Sequence, residues 1–338
     1  MTSPTHETQP PSSAAVLIGG SIAIDHIKTP TAQASNLLGG SASYAALAAS
    51  CYTSAVHMVG IIGKDFPAEH LAMLEARGIN LAGVERSSGD TFSWSGEYHE
   101  NMNDRTTRQV SVNVLENWAV KVPPAVSAAP IVVLANMSPD NQLQMLEACG
   151  RASAVRSSGR PTENFVLADT MDLWISIANN RLHEVLERID LLVINDSEAR
   201  EFVGTSNLIA AGRRLLAKGP RFVVIKLGEF GAMLFSASAT GPNGAISPEN
   251  FFRCAAFPLG EVADPTGAGD SFLGAIAGNL AASGRSHHSF ADLRSAVVQG
   301  SVVASFTCEA FSTRRLQSLT TADVQSRLSF LKSITHWP

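Results

Sequence analysis

Short apolar runs alternate with longer helical segments along most of this chain, and that rhythm limits its fold more than any other feature. IVVLAN, FVLADT, LLVIN, FVVIKLG and AMLFSA have the length and β-branched content of buried strands. NQLQMLEAC, SIANNRLHEVLERI, DSEAREFVG and NLIAAGRRLLAKG carry the helical pattern between them. The N-terminal part repeats the rhythm. Ala14 to Ile27 forms the first ordered element, with Val16-Leu17-Ile18 as a strand and Gly19-Gly20 as a turn. A helix-prone Ala-rich segment follows Gly39-Gly40, then a strand at AVHMVGIIG and a helix over 67–77. The C-terminal third reads as helices. Strands alternating with helices predict an α/β fold, a mostly parallel sheet covered on both faces.

The stretch from Thr91 to Ala119 breaks that pattern. TFSWSGEYHE and TTRQVSVNVLENW mix aromatic, β-branched and polar residues, as exposed strands of a small second sheet do. With the segment near 28–40, the stretch 91–119 is expected to form a lid and to offer a homodimer contact. RASAVRSSGRPTEN and SASATGPNGAISPEN read as loops, and 1–13 as a disordered, Pro-rich tail preceding one domain over 14–335. That tail lacks a signal peptide's apolar run, and no run is long enough to span a bilayer. The net charge of −5 and the lack of a clustered basic stripe argue against nucleic acid and membrane surfaces as partners. The four cysteines have no metal or disulfide spacing, nor do the nine histidines suggest a metal, which suits a cytoplasmic protein.

Chemistry concentrates in Asp264-Pro265-Thr266-Gly267-Ala268-Gly269-Asp270-Ser271-Phe272. Gly267 and Gly269 let backbone N–H groups approach a ligand, and the loop opens into a helix whose first N–H groups lack partners. Such a helix start holds anions such as phosphate. Asp270 at the same point is either a helix cap or a base beside the anion site. A dehydrogenase fingerprint after Gly19-Gly20 fails, because position 22 is Ile and the third glycine is missing.

DPTGAGDSF resembles the C-terminal signature of the ribokinase-like (PfkB) carbohydrate and nucleoside kinases. GSIAIDHI, LLGGSASYAALAA, VINDSEAREF and VIKLGEFGAMLF resemble further family segments in the right order, over about residues 15–320. The resemblance implies a ribokinase-like three-layer α/β/α fold with a small β-sheet lid. It implies an ATP-dependent kinase that phosphorylates a hydroxyl of a sugar or nucleoside, with Asp270 as catalytic base. The N–H groups of Gly267, Ala268 and Gly269 match its anion hole. Asn195 and Glu198 match a pair that organises Mg²⁺ largely through water, although at that spacing they also suit an ordinary helix cap. Lys226, Gly228, Gly231 and Thr266 match nucleotide-side positions, and Asp264 a position for a monovalent cation such as K⁺. Asp25 matches the acid that grips substrate hydroxyls, with Gly39, Gly40 and Ser41 beside it.

The chain also departs from the family. Tyr44 stands where the double-Gly signature has Asn, Ala23 where ribokinases carry Asn, and Asn136 where they carry an acid. These departures argue against ribose itself. Tyr44 offers either a stacking face or a core ring, and Asn136, Asn103 and Arg105 are further candidates for acceptor contact. The competing reading is a non-catalytic nucleotide- or sugar-binding module of the same fold, against which the intact DPTGAGD segment speaks.

Overall fold

A computed structural model describes residues 13–151, 164–237 and 246–336. The expected tail, apart from residue 13, and most of both expected loops lie outside these residues. Nine strands form the large sheet: β1 (Val16–Gly19), β4 (Val56–Ile62), β5 (Ile79–Arg86), β8 (Ile131–Leu134), β9 (Phe165–Asp169), β10 (Leu191–Asn195), β11 (Phe222–Lys226), β12 (Ala232–Ser236) and β13 (Phe251–Cys254). Their order is β13-β12-β11-β10-β9-β8-β1-β4-β5. Every neighbouring pair from β11 to β5 is parallel, and β12 and β13 extend the edge antiparallel.

Alternate residues of the central strands enter two separate cores. Val16 and Ile18 join one and Leu17 the other. The first core is roofed by α1 (Ser41–Ala49), α2 (Ala68–Ala76), α8 (Ala268–Ala281), α9 (Phe290–Thr307), α10 (Arg314–Gln317) and α11 (Thr321–Thr335). The second lies under α3 (Pro139–Ala148), α4 (Asp172–Ile177), α5 (Asn179–Leu186), α6 (Asp196–Val203) and α7 (Leu208–Leu216). The architecture is the expected helix–sheet–helix sandwich. Both faces of the parallel strands are apolar, so both must be covered.

The small sheet has four strands in the order β3-β2-β6-β7: β2 (Ala23–Lys28), β3 (Gln33–Gly39), β6 (Phe92–Tyr98) and β7 (Arg105–Ser111). The segment read as one element over 14–27 therefore divides. β1 ends at Gly19, the chain turns through Gly20–Ile22, and β2 belongs to the other sheet. Beyond Ser111 the chain leaves the small sheet. Trp118 is buried in the second core, and its indole N–H donates to Glu85 at 2.8 Å. β5 and β13 did not stand out in the sequence. INLAGVER abuts a helix and FFRC a long loop, so neither has the turn residues on both sides that frame a strand. SIANNRLHEVLERI forms two helices, because Ala178 adopts φ −131° between them.

Candidate active site

The loop 264–270 enters α8 through Gly267, which has φ +75°. Few side chains adopt that conformation, and a Cβ built here would collide with the Tyr44 ring. Tyr44 is 1 % exposed, so it supports the loop from within the core and presents no open face for stacking. That corrects its expected role as an acceptor contact. The N–H of Ala268 donates to the Pro265 carbonyl at 3.1 Å, which closes a tight turn and removes Ala268 from the expected anion hole. Gly267 and Gly269 remain as N–H donors without protein acceptors among the described residues.

Asp264 fixes the start of the loop. It is fully buried, and its two oxygens accept from the N–H groups of Thr266 at 2.9 Å and Ser312 at 2.8 Å. The Asp264 carboxylate, which with its backbone oxygen was a candidate for holding a monovalent cation, thus clamps two backbone segments. Thr266, expected on the nucleotide side, donates through its hydroxyl to the Tyr98 hydroxyl at 3.0 Å, which ties the loop to the small sheet.

Asp270 occupies the first turn of α8, where its carboxyl is pushed up to about 7. Burial is the main cause and the nearby Asp169 carboxylate adds to it, while Lys226 and Arg105 oppose both. Lys226 ends β11, and its ammonium would lie 2.9 Å from a Cβ on Gly269. It therefore flanks the Gly267–Asp270 turn directly. Asp169, the last residue of β9, holds it in an ion pair at 3.4 Å. Burial pulls the Lys226 ammonium down, but the carboxylates of Asp169, Glu198 and Asp270 keep it above its ordinary value. Asp169 was not singled out in the sequence. A buried acid at a strand end has no local signature, and only the sheet order brings it opposite Lys226.

Asn195 and Glu198 form a reciprocal capping box. The Asn195 side chain accepts from the Glu198 N–H at 2.8 Å, and the Glu198 carboxylate from the Asn195 N–H at 3.0 Å. Glu198 is 9 % exposed and burial pushes it up to about 7, which leaves a buried acid whose anion would gain from a cation. Gly228 and Gly231 bracket a single 3-10 turn over Gly228–Phe230.

Asp25, expected to meet the acceptor, is 4 % exposed and accepts no hydrogen bond among the described residues. A Cβ on Gly39 would overlap its carboxyl group, so only glycine there admits the acid. Burial, then Asp264 and Asp270, push Asp25 up to about 8. Gly40 begins α1 at φ +88°. Three expected acceptor contacts are committed elsewhere. The Ser41 hydroxyl donates to the Asn136 carbonyl at 2.9 Å. The Asn136 side chain accepts from the Trp174 indole at 2.9 Å and points its amide at the Met171 sulfur, 3.1 Å away. Asn103 donates to Glu229 at 3.0 Å, which sets it at the Gly228 turn. Arg105, paired with Tyr98 across the small sheet, lies near enough to Asp270 to lower its pKa.

Residues 16–320 match the pfkB family of carbohydrate kinases. The chain belongs to that family. A cytidine kinase of Thermococcus kodakarensis is 27 % identical over 261 residues, covering 77 % of this chain and 86 % of the relative. Ribokinase of Giardia lamblia superposes with a TM-score of 0.74 at 21 % identity, over 94 % of this chain and 99 % of the other. A nucleoside kinase of Burkholderia thailandensis, solved with inosine, gives a TM-score of 0.70 at 18 % identity, over 95 % and 98 %. This pfkB-family chain is accordingly a small-molecule kinase that uses ATP and a hydroxyl acceptor, a sugar or a nucleoside. No helix among its described residues is long and apolar enough to cross a membrane.

The burial of Asp25 has a measurable consequence. Folded Asp25 holds its proton up to about pH 8, whereas an unfolded chain releases it near the ordinary value of 3.8. Between those limits the folded state binds more protons, so stability falls as pH rises through this window. Without ligands, the wild-type Tm should drop from pH 5 to pH 8. Asp25→Asn should melt about 2–4 °C higher than wild type at pH 8 and match it more closely at pH 5. Calorimetry at both pH values checks this.

Proposed function

We propose that Asp270 is the general base of this kinase and that the Gly267–Asp270 turn receives the γ-phosphate of ATP. The observation that carries this reading is the coincidence at one helix start of unpartnered N–H groups, the Lys226 ammonium and the Asp270 carboxyl. The acceptor hydroxyl attacks the γ-phosphorus, and its new O–P bond forms as the bond to the β,γ-bridging oxygen breaks. Asp270 takes the hydroxyl proton, and ADP leaves with the bridging oxygen. In a loose transition state, catalysis is mostly positioning and charge stabilisation. Lys226 and the loop N–H groups supply the latter where water is excluded.

ATP would lie along the C-terminal ends of β10 and β11, with its triphosphate over the Gly228–Phe230 turn. A cleft of about 700 Å³ beside that turn, lined by Phe230, Cys254, Ala255 and Val298, suits its base. Mg²⁺ keeps several waters and needs few protein oxygens, and Glu198 with Asp169 fits that demand. When bound, the ion would neutralise phosphate charge. The small sheet acts as a lid. Tyr98 ties it to the loop through Thr266, and Asn103 ties its tip to the Gly228 turn through Glu229. Closed over both substrates, it would exclude water and limit ATP hydrolysis.

Asp25 offers two oxygens to a vicinal diol, an arrangement common to sugars and nucleosides. An assay of ADP release across sugars, cyclitols and ribonucleosides tests the reading. Release that depends on one acceptor class supports it. ADP release unaffected by any acceptor would leave only the non-catalytic or hydrolytic alternatives.

A further inference from the structure

The register of the small sheet sets which side chains stand beside Asp25. In its register Asp25 pairs with Leu37 on one side and Trp94 on the other, and Trp94 with Val110. Residues paired across strands share a face. A second row on that face runs Ala34, Ile27, Gly96, Thr107. Tyr98, two residues beyond Gly96, points the same way and reaches Thr266 in the anion loop. This face therefore looks at the loop. Its outer counterpart carries Lys28, Glu97 and Arg108, joined in ion pairs at 2.9 and 2.6 Å.

On the loop-facing side, Asp25 is the only carboxylate among the paired residues, and its neighbours on the two flanking strands, Leu37 and Trp94, are apolar. Ile27, Leu37, Tyr98, Trp94, Met102 and Phe311 form one cluster. The Trp94 indole lies over Gly96, where a Cβ would overlap its six-membered ring, and its N–H points to the Thr107 hydroxyl at 3.4 Å. Half-buried, it stands on the strand next to Asp25, at the paired position. Ser41, Asn136 and Asp264, polar groups that might otherwise line an acceptor site, are engaged elsewhere, and Arg105 lies toward Asp270.

A free sugar or cyclitol carries hydroxyls around its whole rim. Against this wall several would lose water without gaining a partner. A nucleoside divides its chemistry, with a diol at one end and a planar ring with apolar faces at the other. That division matches Asp25 and its neighbour Trp94. We propose that the acceptor is a ribonucleoside, its diol held by Asp25 and its base stacked on Trp94, which makes Trp94 a specificity-determining residue. The proposal rests on the kinase reading of the same site.

The test measures binding and turnover separately. Adenosine, cytidine, inosine, ribose and myo-inositol are titrated into the full-length protein with a non-hydrolysable ATP analogue, and ADP release is followed with ATP. At least one nucleoside should bind about tenfold or more tighter than ribose. Trp94→Ala should weaken that nucleoside about 10–100-fold, the range expected for one base stacked on an aromatic ring. Trp94→Phe keeps a ring and should weaken it less. Unchanged affinity for ADP in both variants shows that they fold. Ribose or myo-inositol binding as tightly as every nucleoside overturns the proposal, as does nucleoside affinity within twofold of wild type in Trp94→Ala. ADP release with ribose alone removes the nucleoside assignment and leaves the kinase standing. Trp94-dependent nucleoside binding without ADP release does the reverse.

Discussion

Asp270→Asn should lower kcat by about 10²–10⁴-fold, the range that one positioned general base contributes, while ATP affinity stays within a few-fold of wild type. Asparagine matches aspartate in shape, so Tyr44, Gly267 and α8 keep their packing, but the amide cannot take the hydroxyl proton. Removing a negative charge beside the proposed phosphate site should favour ATP. The pH profile makes the test sharper. The base must be ionised, and burial pushes Asp270 up to about 7. In wild type, kcat/KM should therefore rise with pH below about 7 and level off above it. That rising limb should persist in Asp25→Asn and vanish in Asp270→Asn. Steady-state rates from pH 5.5 to 9 with coupled ADP detection would show it. An asparagine variant within tenfold of wild type would mean that Asp270 only caps α8.

How much of this site could be read in the sequence follows from how local each feature is. Gly267, Gly269 and Asp270 were legible because a glycine turn opening into an apolar helix is specified within a few residues. The Asn195–Glu198 capping box was legible for the same reason. Asp25 and Gly39 lie on paired strands, and their close approach was open to inference only through a family likeness. Hydrogen-bond destinations were not legible. Ser41, Asn136 and Asn103 are polar residues at suggestive places, yet their partners lie 95, 38 and 126 residues away. The same holds for Asp169, 57 residues from Lys226 and two strands away across β10. Trp94 read as one aromatic in an exposed strand. Only the parallel pairing of β2 with β6 makes it the neighbour of Asp25. The fold itself was easier, because each central strand declares its two-sided burial in its own composition, whereas β5 and β13 lie at the sheet edges and carry weaker patterns.

Gly267→Ala should damage both stability and turnover. Two penalties act together. At φ +75° an L-residue is disfavoured by about 1–2 kcal/mol. The new Cβ would also fall within the Tyr44 ring, which cannot retreat because it is fully buried among α1 and its neighbours. The loop must shift, and the N–H groups proposed to meet the phosphate shift with it. Loss of one such donor typically lowers kcat about 10²–10³-fold, so kcat/KM should fall by at least that much and Tm should drop as well. Tyr44→Ala separates the two penalties. It leaves a cavity and destabilises by about 3–5 kcal/mol on its own, but it clears the space that the alanine methyl needs. The double variant Gly267→Ala/Tyr44→Ala should be more stable than the sum of the single changes predicts, by about 0.5–3 kcal/mol, as groups in direct contact are. Its turnover should recover only in part, because the backbone penalty at φ +75° remains. Chemical denaturation of the four proteins, with kcat/KM for each, completes the cycle. Strict additivity would show that Tyr44 does not hold the loop and that the penalty at Gly267 comes from backbone conformation alone.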